Sequence, residues 1–308
     1  MPQTVIQAIQ DILRRRQARG QRSVWLSPAN SQCLGKIPRQ PLAGKAQSAP
    51  ATITPPVRQS AAPAARPIPP PPTAAPISRT PFRQPTDSTA NLPSAKPRDK
   101  EFLDTVANAS LDELASLAHA CSWCRLAATR QNVAFSDGCP RSRVMFIGEG
   151  PGADEDAQGV PFVGRAGQLL TNIIKAMGLD RTSADPARGV YIANIVKCRP
   201  PQNRNPLADE ADSCLPFLKR QIALVQPEVI VLLGGVALKA LLGKTGINRL
   251  RGHWFEYEGI PVMPTFHPSY LLHCERQQTL FIEEKRKVWL DMQAVMQRLG
   301  LPLPQRNR

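Results

Sequence analysis

Four short β-branched runs, separated by segments of helical periodicity, constrain this chain more than any other feature. The runs are Val144 to Ile147, Tyr191 to Val196, Val229 to Leu233 and Val262 to Phe266. Helical patterns lie between and after them, at Leu169 to Met177, Leu207 to Leu224, Val236 to Leu242 and Phe281 to Leu299. Strand alternating with helix implies parallel strands joined by crossovers, in a sheet covered on both faces. Leu103, Val106, Ala107, Leu111, Leu114 and Leu117 add one helix or two ahead of the first strand. In open parallel sheets ligands bind outside the carboxyl ends of the strands, where the βα loops converge.

The unusual sequences occupy those positions. The first strand runs into Gly148-Glu149-Gly150-Pro151-Gly152, and the second carries Asn194 and continues into Lys197-Cys198-Arg199-Pro200-Pro201. The third ends in Gly234-Gly235 and the fourth in His267-Pro268-Ser269. Four loops therefore form one mouth.

The first third of the chain follows different rules. Residues 1–100 hold 18 of the 32 prolines and 15 basic residues against three acids, Asp11, Asp87 and Asp99. The remaining 24 basic and 21 acidic side chains, with nearly all the strongly apolar runs, fall in residues 101–308. From Ser27 to Lys100 there is almost no apolar period, and Pro67 to Pro76 favours polyproline II. The expected organisation is a disordered basic Pro/Ala-rich tail over 1–100, a folded domain over 101–300 and a disordered end over 301–308. Within the tail, Val5, Ile9, Ile12 and Leu13 share one face of a short amphipathic helix at 3–19, followed by Arg14, Arg15, Arg16, Arg19 and Arg22. Such an arm can be a nascent helix, a docking helix for a protein partner, a nonspecific nucleic-acid arm or a transit peptide. No apolar stretch is long enough for a membrane span and no secretory leader opens the chain, so the expectation is a soluble, intracellular protein.

Each motif has a structural and a chemical reading. The GEGPG loop can cradle an anion or simply connect strand to helix, and it lacks the Lys-Ser/Thr of a P-loop. Asp154, Glu155 and Asp156 suit a solvated helix N-terminus. Phe162 is a base-stacking platform or core. Around Cys198, Arg199 and Arg204 lie among amides and prolines without acids. With Lys197 and Arg165 they can follow a phosphate backbone from the mouth. His267 ends a strand at the ligand-binding edge, and Tyr270 and Leu271 behind it suit either a wedge into a base stack or a core-facing helix.

Seven cysteines in a chain expected to be intracellular are ligands before they are disulfides. Cys121 and Cys124 form a CxxC, with Cys139, Cys198 and Cys214 dispersed after it. Four thiolates can hold zinc or an iron–sulfur cluster, and spacing alone does not select four of these five.

In combination, GEGPGADEDAQGVPFVGRAGQLL, NIVKCRPPQNRNP and HPSYLL, with CSWCRL upstream and Cys214 downstream, resemble the family-four uracil-DNA glycosylases from about Leu114 to Leu299. The resemblance implies an α/β/α three-layer sandwich around a four-stranded parallel sheet. It further implies a 4Fe-4S cluster on Cys121, Cys124, Cys198 and Cys214, with zinc the alternative and Cys139 outside the set. The implied activity is hydrolysis of the N-glycosidic bond of uracil extruded from DNA, leaving an abasic site for base excision repair. On this resemblance the backbone at Glu149 and Gly150 lines the uracil pocket, Phe162 stacks on the ring and Asn194 separates uracil from cytosine. His267 stabilises the departing anion, and Glu155, or next Glu149, orients water or stabilises the sugar cation. Arg165, Arg199, Arg204, Tyr270 and Leu271 contact DNA. A monomer in the cytoplasm, associated with the nucleoid, completes the expectation.

The sequence departs from the family at His273-Cys274, in the segment 180–189 and in the tail, and it has no histidine-containing basic insertion after Asn194. The other classes open to these residues are a noncatalytic metal-containing nucleic-acid-binding protein and a redox or nucleotide-binding α/β protein.

Overall fold

The four β-branched runs form the centre of one twisted sheet. A computed structural model of the chain describes residues 99–303. The tail, its expected helix at 3–19 and residues 304–308 lie outside the described residues. The central strands are β2 (Val144–Gly148), β3 (Tyr191–Asn194), β4 (Val229–Leu233) and β6 (Ile260–Thr265). Their order across the sheet is β3-β2-β4-β6, all parallel.

The sheet has six strands rather than the expected four. β1 (Asp137–Gly138) pairs antiparallel with β3 at one edge, and β5 (Phe255–Tyr257) pairs antiparallel with β6 at the other. Two- and three-residue edge strands are too short to register as an apolar alternation, which is why only the centre was legible. Nine α-helices accompany the sheet among the described residues. They are α1 (Lys100–Asn108), α2 (Leu111–Ala120), α3 (Ala153–Gln158), α4 (Arg165–Ala176), α5 (Ala208–Val225), α6 (Gly234–Leu242), α7 (Ile247–Leu250), α8 (Pro268–Cys274) and α9 (Gln278–Arg298). None of the described helices is long and apolar enough to cross a membrane.

Because side chains alternate along a strand, each central strand serves two cores. Met145 and Ile147 of β2, Tyr191 and Ala193 of β3, and Ile230 and Leu232 of β4 face one side. There they pack on Val106 of α1, Leu114 of α2, Phe217 and Ile222 of α5 and Leu238 of α6. Val144, Phe146, Ile192, Val229 and Val231 face the other side, against Leu170 and Ile174 of α4, Leu271 of α8 and Val288, Met292 and Val295 of α9. Both faces are thereby sealed, and the strand tips stay free to carry loops. Local sequence sets the entry of α2, where the Ser110 N–H donates to Glu113 Oε2 at 2.8 Å and the Glu113 N–H donates back to Ser110 Oγ at 3.4 Å.

Candidate active site

The parallel register aligns Gly148 at the tip of β2 with Asn194 at the tip of β3. A Cβ on Gly148 would stand 2.4 Å from Phe162 Cζ and 2.5 Å from Asn194 Oδ1. The missing side chain therefore lets a phenyl edge and an amide meet at the sheet tip. From β6, the loop to α8 brings the His267 ring to 5.6 Å from the Phe162 ring, centroid to centroid, at 34°. Glu149, Gly150, Phe162, Asn194 and His267 border one cleft of about 500 Å3, with Glu155 and Arg204 at its margin.

The polar groups of this cleft are held in defined states. Asn194 is 1% exposed, and its Oδ1 has no hydrogen-bond partner among the described residues. An unpaired buried acceptor costs roughly 1–3 kcal/mol. The backbone N–H of Ser269 donates to His267 Nδ1 at 3.1 Å, and the Ser269 hydroxyl lies 2.7 Å from the same nitrogen. A backbone amide can only donate, so Nδ1 is the acceptor and the proton of the neutral ring resides on Nε2. Burial pushes the His267 pKa down to about 4, which keeps the ring neutral at pH 7. Burial also raises the Glu149 carboxyl to about 7. A neutral donor and a half-ionised acid thus share one cleft.

Several expected roles change. Glu155 does not present a free carboxylate: Oε2 accepts from Gly152 N–H at 3.0 Å, and Oε1 accepts from Val163 and Gly164 N–H at 2.9 Å each. It ties the GEGPG loop to the Phe162 loop. Leu271 is 1% exposed and packs in the α4–α9 core, so it cannot serve as a wedge; Tyr270, 39% exposed, is the residue of that helix at the surface. Lys197 is buried and donates from Nζ to the Asn194 carbonyl at 2.7 Å and Gln221 Oε1 at 2.6 Å, so it does not join the mouth as a free cation. Arg204 forks onto the fully buried Glu210 at 2.8 and 2.7 Å while lining the cleft, and Arg199 Nε donates to Asn203 Oδ1 at 2.7 Å. Arg165 stands at the surface, paired with Glu275 at 2.8 Å. Phe162 proves to be both things at once, a cleft wall and a member of the α4–α9 core.

Four thiols cluster on the other side of the sheet tip. Cys124 lies within electrostatic reach of Cys121 and Cys198, and Cys198 of Cys214. Burial raises the thiols of Cys124 to about 11 and Cys214 to about 12, and that of Cys198 upward. Arg130 Nη1 donates to Cys198 Sγ at 3.2 Å, and the Lys197 N–H donates to Cys214 Sγ at 3.4 Å. Cys139 is apart from them, buried and donating to the Ala184 carbonyl at 3.3 Å. Among the described residues no three His, Cys, Asp or Glu side chains close on a point as a single metal ion requires.

The match to known proteins covers the residues of the cleft. The family model described as the uracil DNA glycosylase superfamily matches residues 135–293, just over half of the chain. The chain belongs to the uracil DNA glycosylase superfamily. Within that superfamily it is similar to a Type-4 uracil-DNA glycosylase of Thermotoga maritima, 46% identical over 155 residues, which span 49% of this chain and 78% of that protein. A Type-4 uracil-DNA glycosylase of Sulfurisphaera tokodaii is 39% identical over 189 residues, 58% of this chain and 83% of the other. A third, from Saccharolobus solfataricus, is 38% identical over 189 residues, covering 58% and 85%.

Sequence reasoning assigned no individual role to three residues that shape the cleft. Gly148 is detectable only once the β2–β3 register is known. Ser269, which sets the His267 tautomer, and Arg181, which holds the Phe162 loop, act through contacts that no local pattern announces.

A carboxyl raised by burial destabilises the fold once it ionises. With a folded pKa of about 7 against an ordinary carboxyl value of 4.5, the native state binds more protons than the unfolded chain between those values, so stability falls as pH rises through that window. Glu149→Gln should therefore gain about 3 kcal/mol over the parent at pH 8 and almost nothing at pH 4, read by urea unfolding at both pH values. An equal effect at both pH values would show that Glu149 is not held in its neutral form.

Proposed function

We propose that the cleft accepts a uracil swung out of DNA and that Asn194, Phe162, His267 and Glu149 read and release it. Membership of the superfamily and the similarity to Type-4 enzymes make the chain a monofunctional uracil-DNA glycosylase. It hydrolyses the N-glycosidic bond and acts in DNA repair. One observation carries the reading of the site: the unpartnered, buried Oδ1 of Asn194, bordered by the Phe162 and His267 rings.

Uracil presents an N3–H donor beside its O4 acceptor, so an amide with a free carbonyl oxygen matches both. Cytosine presents a lone pair at N3 and an amine at C4, which sets acceptor against acceptor and leaves Oδ1 unpaired. Discrimination of this kind comes from the penalty on the wrong base as much as from the bond to the right one. The Phe162 ring offers a stacking face, and its bulk near C5 opposes the methyl of thymine.

In the reaction the C1′–N1 bond breaks with its electron pair leaving on uracil, and a water oxygen bonds to C1′. Negative charge grows on the base and spreads to O2, where the Nε2–H of neutral His267 donates. An aimed donor in a site shielded from water stabilises such charge strongly, without first losing a proton of its own. Glu149, as carboxylate, opposes the positive charge on the sugar and receives the proton released by water. Arg165, Arg199 and Arg204 supply positive charge along the cleft for phosphates, with Tyr270 at the rim. The same reading includes a monomer working at the nucleoid in the cytoplasm, with the basic tail adding affinity for DNA or holding a protein partner.

The thiol set fits a 4Fe-4S cluster. Cys121 and Cys124, Cys198 and Cys214 come from three separate segments, and the sulfurs of Cys198 and Cys214 receive N–H donors, as the sulfurs of such clusters do. Cys198 and Cys214 form no second close pair of the kind a zinc ribbon would show, which disfavours the alternative. When bound, the group supplies iron–thiolate bonds that cross-link the segment after α2, the loop after β3 and α5.

Two measurements test this. Single-turnover incubation with a uracil-containing strand, followed by alkali, should reveal one break at the uracil. His267→Ala should slow this by about 10²-fold, and an unchanged rate would remove His267 from the chemistry. Purified protein should absorb broadly near ~400 nm. Cys198→Ala should lose that band and soluble yield before it loses activity per folded molecule; a colourless parent with stoichiometric zinc would contradict the cluster.

A further inference from the structure

Phe162 is a bulky residue at φ +56°, a strained backbone state that persists only where its surroundings enforce it. Three groups enforce it. Gly167 in the first turn of α4 makes room, since a Cβ there would lie 1.9 Å from the Phe162 carbonyl oxygen. On the following side, Glu155 accepts the N–H groups of Val163 and Gly164. The third is Arg181, 11% exposed, from the segment between α4 and β3.

Arg181 grips two consecutive carbonyls. Nη1 donates to the Phe162 oxygen and Nη2 to the Pro161 oxygen. Nη1 also donates to Thr171 Oγ1 of α4 at 3.2 Å, while Nε donates to Asp137 Oδ2 of β1 at 2.6 Å. The guanidinium plane is thus fixed from one side by the edge strand and from the other by a helix. Only a rigid fork can hold two adjacent carbonyls at once; a lysine ammonium supplies a point charge without that geometry.

We propose that Arg181 is a positioning residue for uracil excision: it locks the strained backbone of Phe162 so that the phenyl ring stands as a preformed platform against the base. This rests on the reading that Phe162 stacks on uracil. Edge strand β1 thereby serves the active site through Asp137 although it lies outside the cleft. Small misplacements of a positioning group can cost about 10²-fold in rate, so the clamp has kinetic weight.

The test is a double-mutant cycle on the full-length chain, measured by single-turnover excision and by inhibition with free uracil. Arg181→Ala should slow excision about 10- to 100-fold and weaken uracil inhibition. In the Phe162→Ala background the same change should alter the rate by less than about 2-fold, because the group it positions is already gone. Arg181→Lys, which keeps the charge and is the safer variant for folding, should still lose most of the effect. Equal losses in both backgrounds, or full rescue by lysine, would overturn the clamp while leaving the function of the cleft intact. If Phe162→Ala alone leaves excision and uracil inhibition unchanged, the platform reading fails and the clamp falls with it, and His267→Ala then reports separately on the rest of the site.

Discussion

Everything in the cleft depends on the pairing of β2 with β3. In that parallel register Gly148 lies beside Asn194, and the absence of a side chain at Gly148 is what admits the Phe162 ring edge to the amide. A slip of one residue would turn Asn194 to the opposite face of the sheet and set a side chain against it. The register is enforced because both faces of these strands are packed, so a one-residue slip would exchange the two apolar sets and misfit both cores. Precision at the strand tips is a consequence of packing further down the sheet.

The cleft concentrates features that oppose folding. An unpaired amide oxygen, a carboxyl raised toward neutrality and an aromatic residue at positive φ all lie within it. Such features persist where the surrounding structure over-determines them. Here the surroundings are Glu155, Gly167 and Arg181 around Phe162, and the two sealed cores behind the strands. Each opposing feature has a chemical counterpart. On the proposed reading the bare acceptor matches N3–H, the carboxyl takes a proton, and the ring presents a face to the base. On that reading the same groups are worst satisfied without the base and best satisfied with it.

The central strands and most helices were legible because β-branched runs and 3.6-residue periodicity are local signals, and Val229 to Leu233 coincides with β4 residue for residue. The edge strands were not, since Asp137–Gly138 and Phe255–Tyr257 carry too few residues to show a period. The gathering of Asn194 and His267 at one mouth followed from the rule that parallel strands open their loops on one side, whereas Phe162 joined them only through the family resemblance. What failed was side-chain direction. Lys197 reads as one more cation in a basic loop, yet it turns inward to Gln221. Leu271 follows Tyr270 in a loop motif, but helix α8 points it into the core. Glu155 sits in an acidic run that looked available for water, and local backbone donors claim it. For Lys197 and Leu271 a tertiary partner decided the direction, and a partner distant in the chain leaves no mark on neighbouring residues.

The central claim is that Asn194 Oδ1 receives the N3–H of an extruded uracil. The most direct measurement compares single-turnover excision of N3-methyluracil with that of uracil at the same position in DNA. The methylated base keeps its ring and its leaving-group oxygens but has no N3–H and adds bulk where the amide stands. The account predicts that it is refused, by a factor of roughly 10² or more, as expected where a site built to pair a donor meets an analogue lacking it. Excision of both bases at the same rate would contradict the account, because the amide would then face some other part of the substrate.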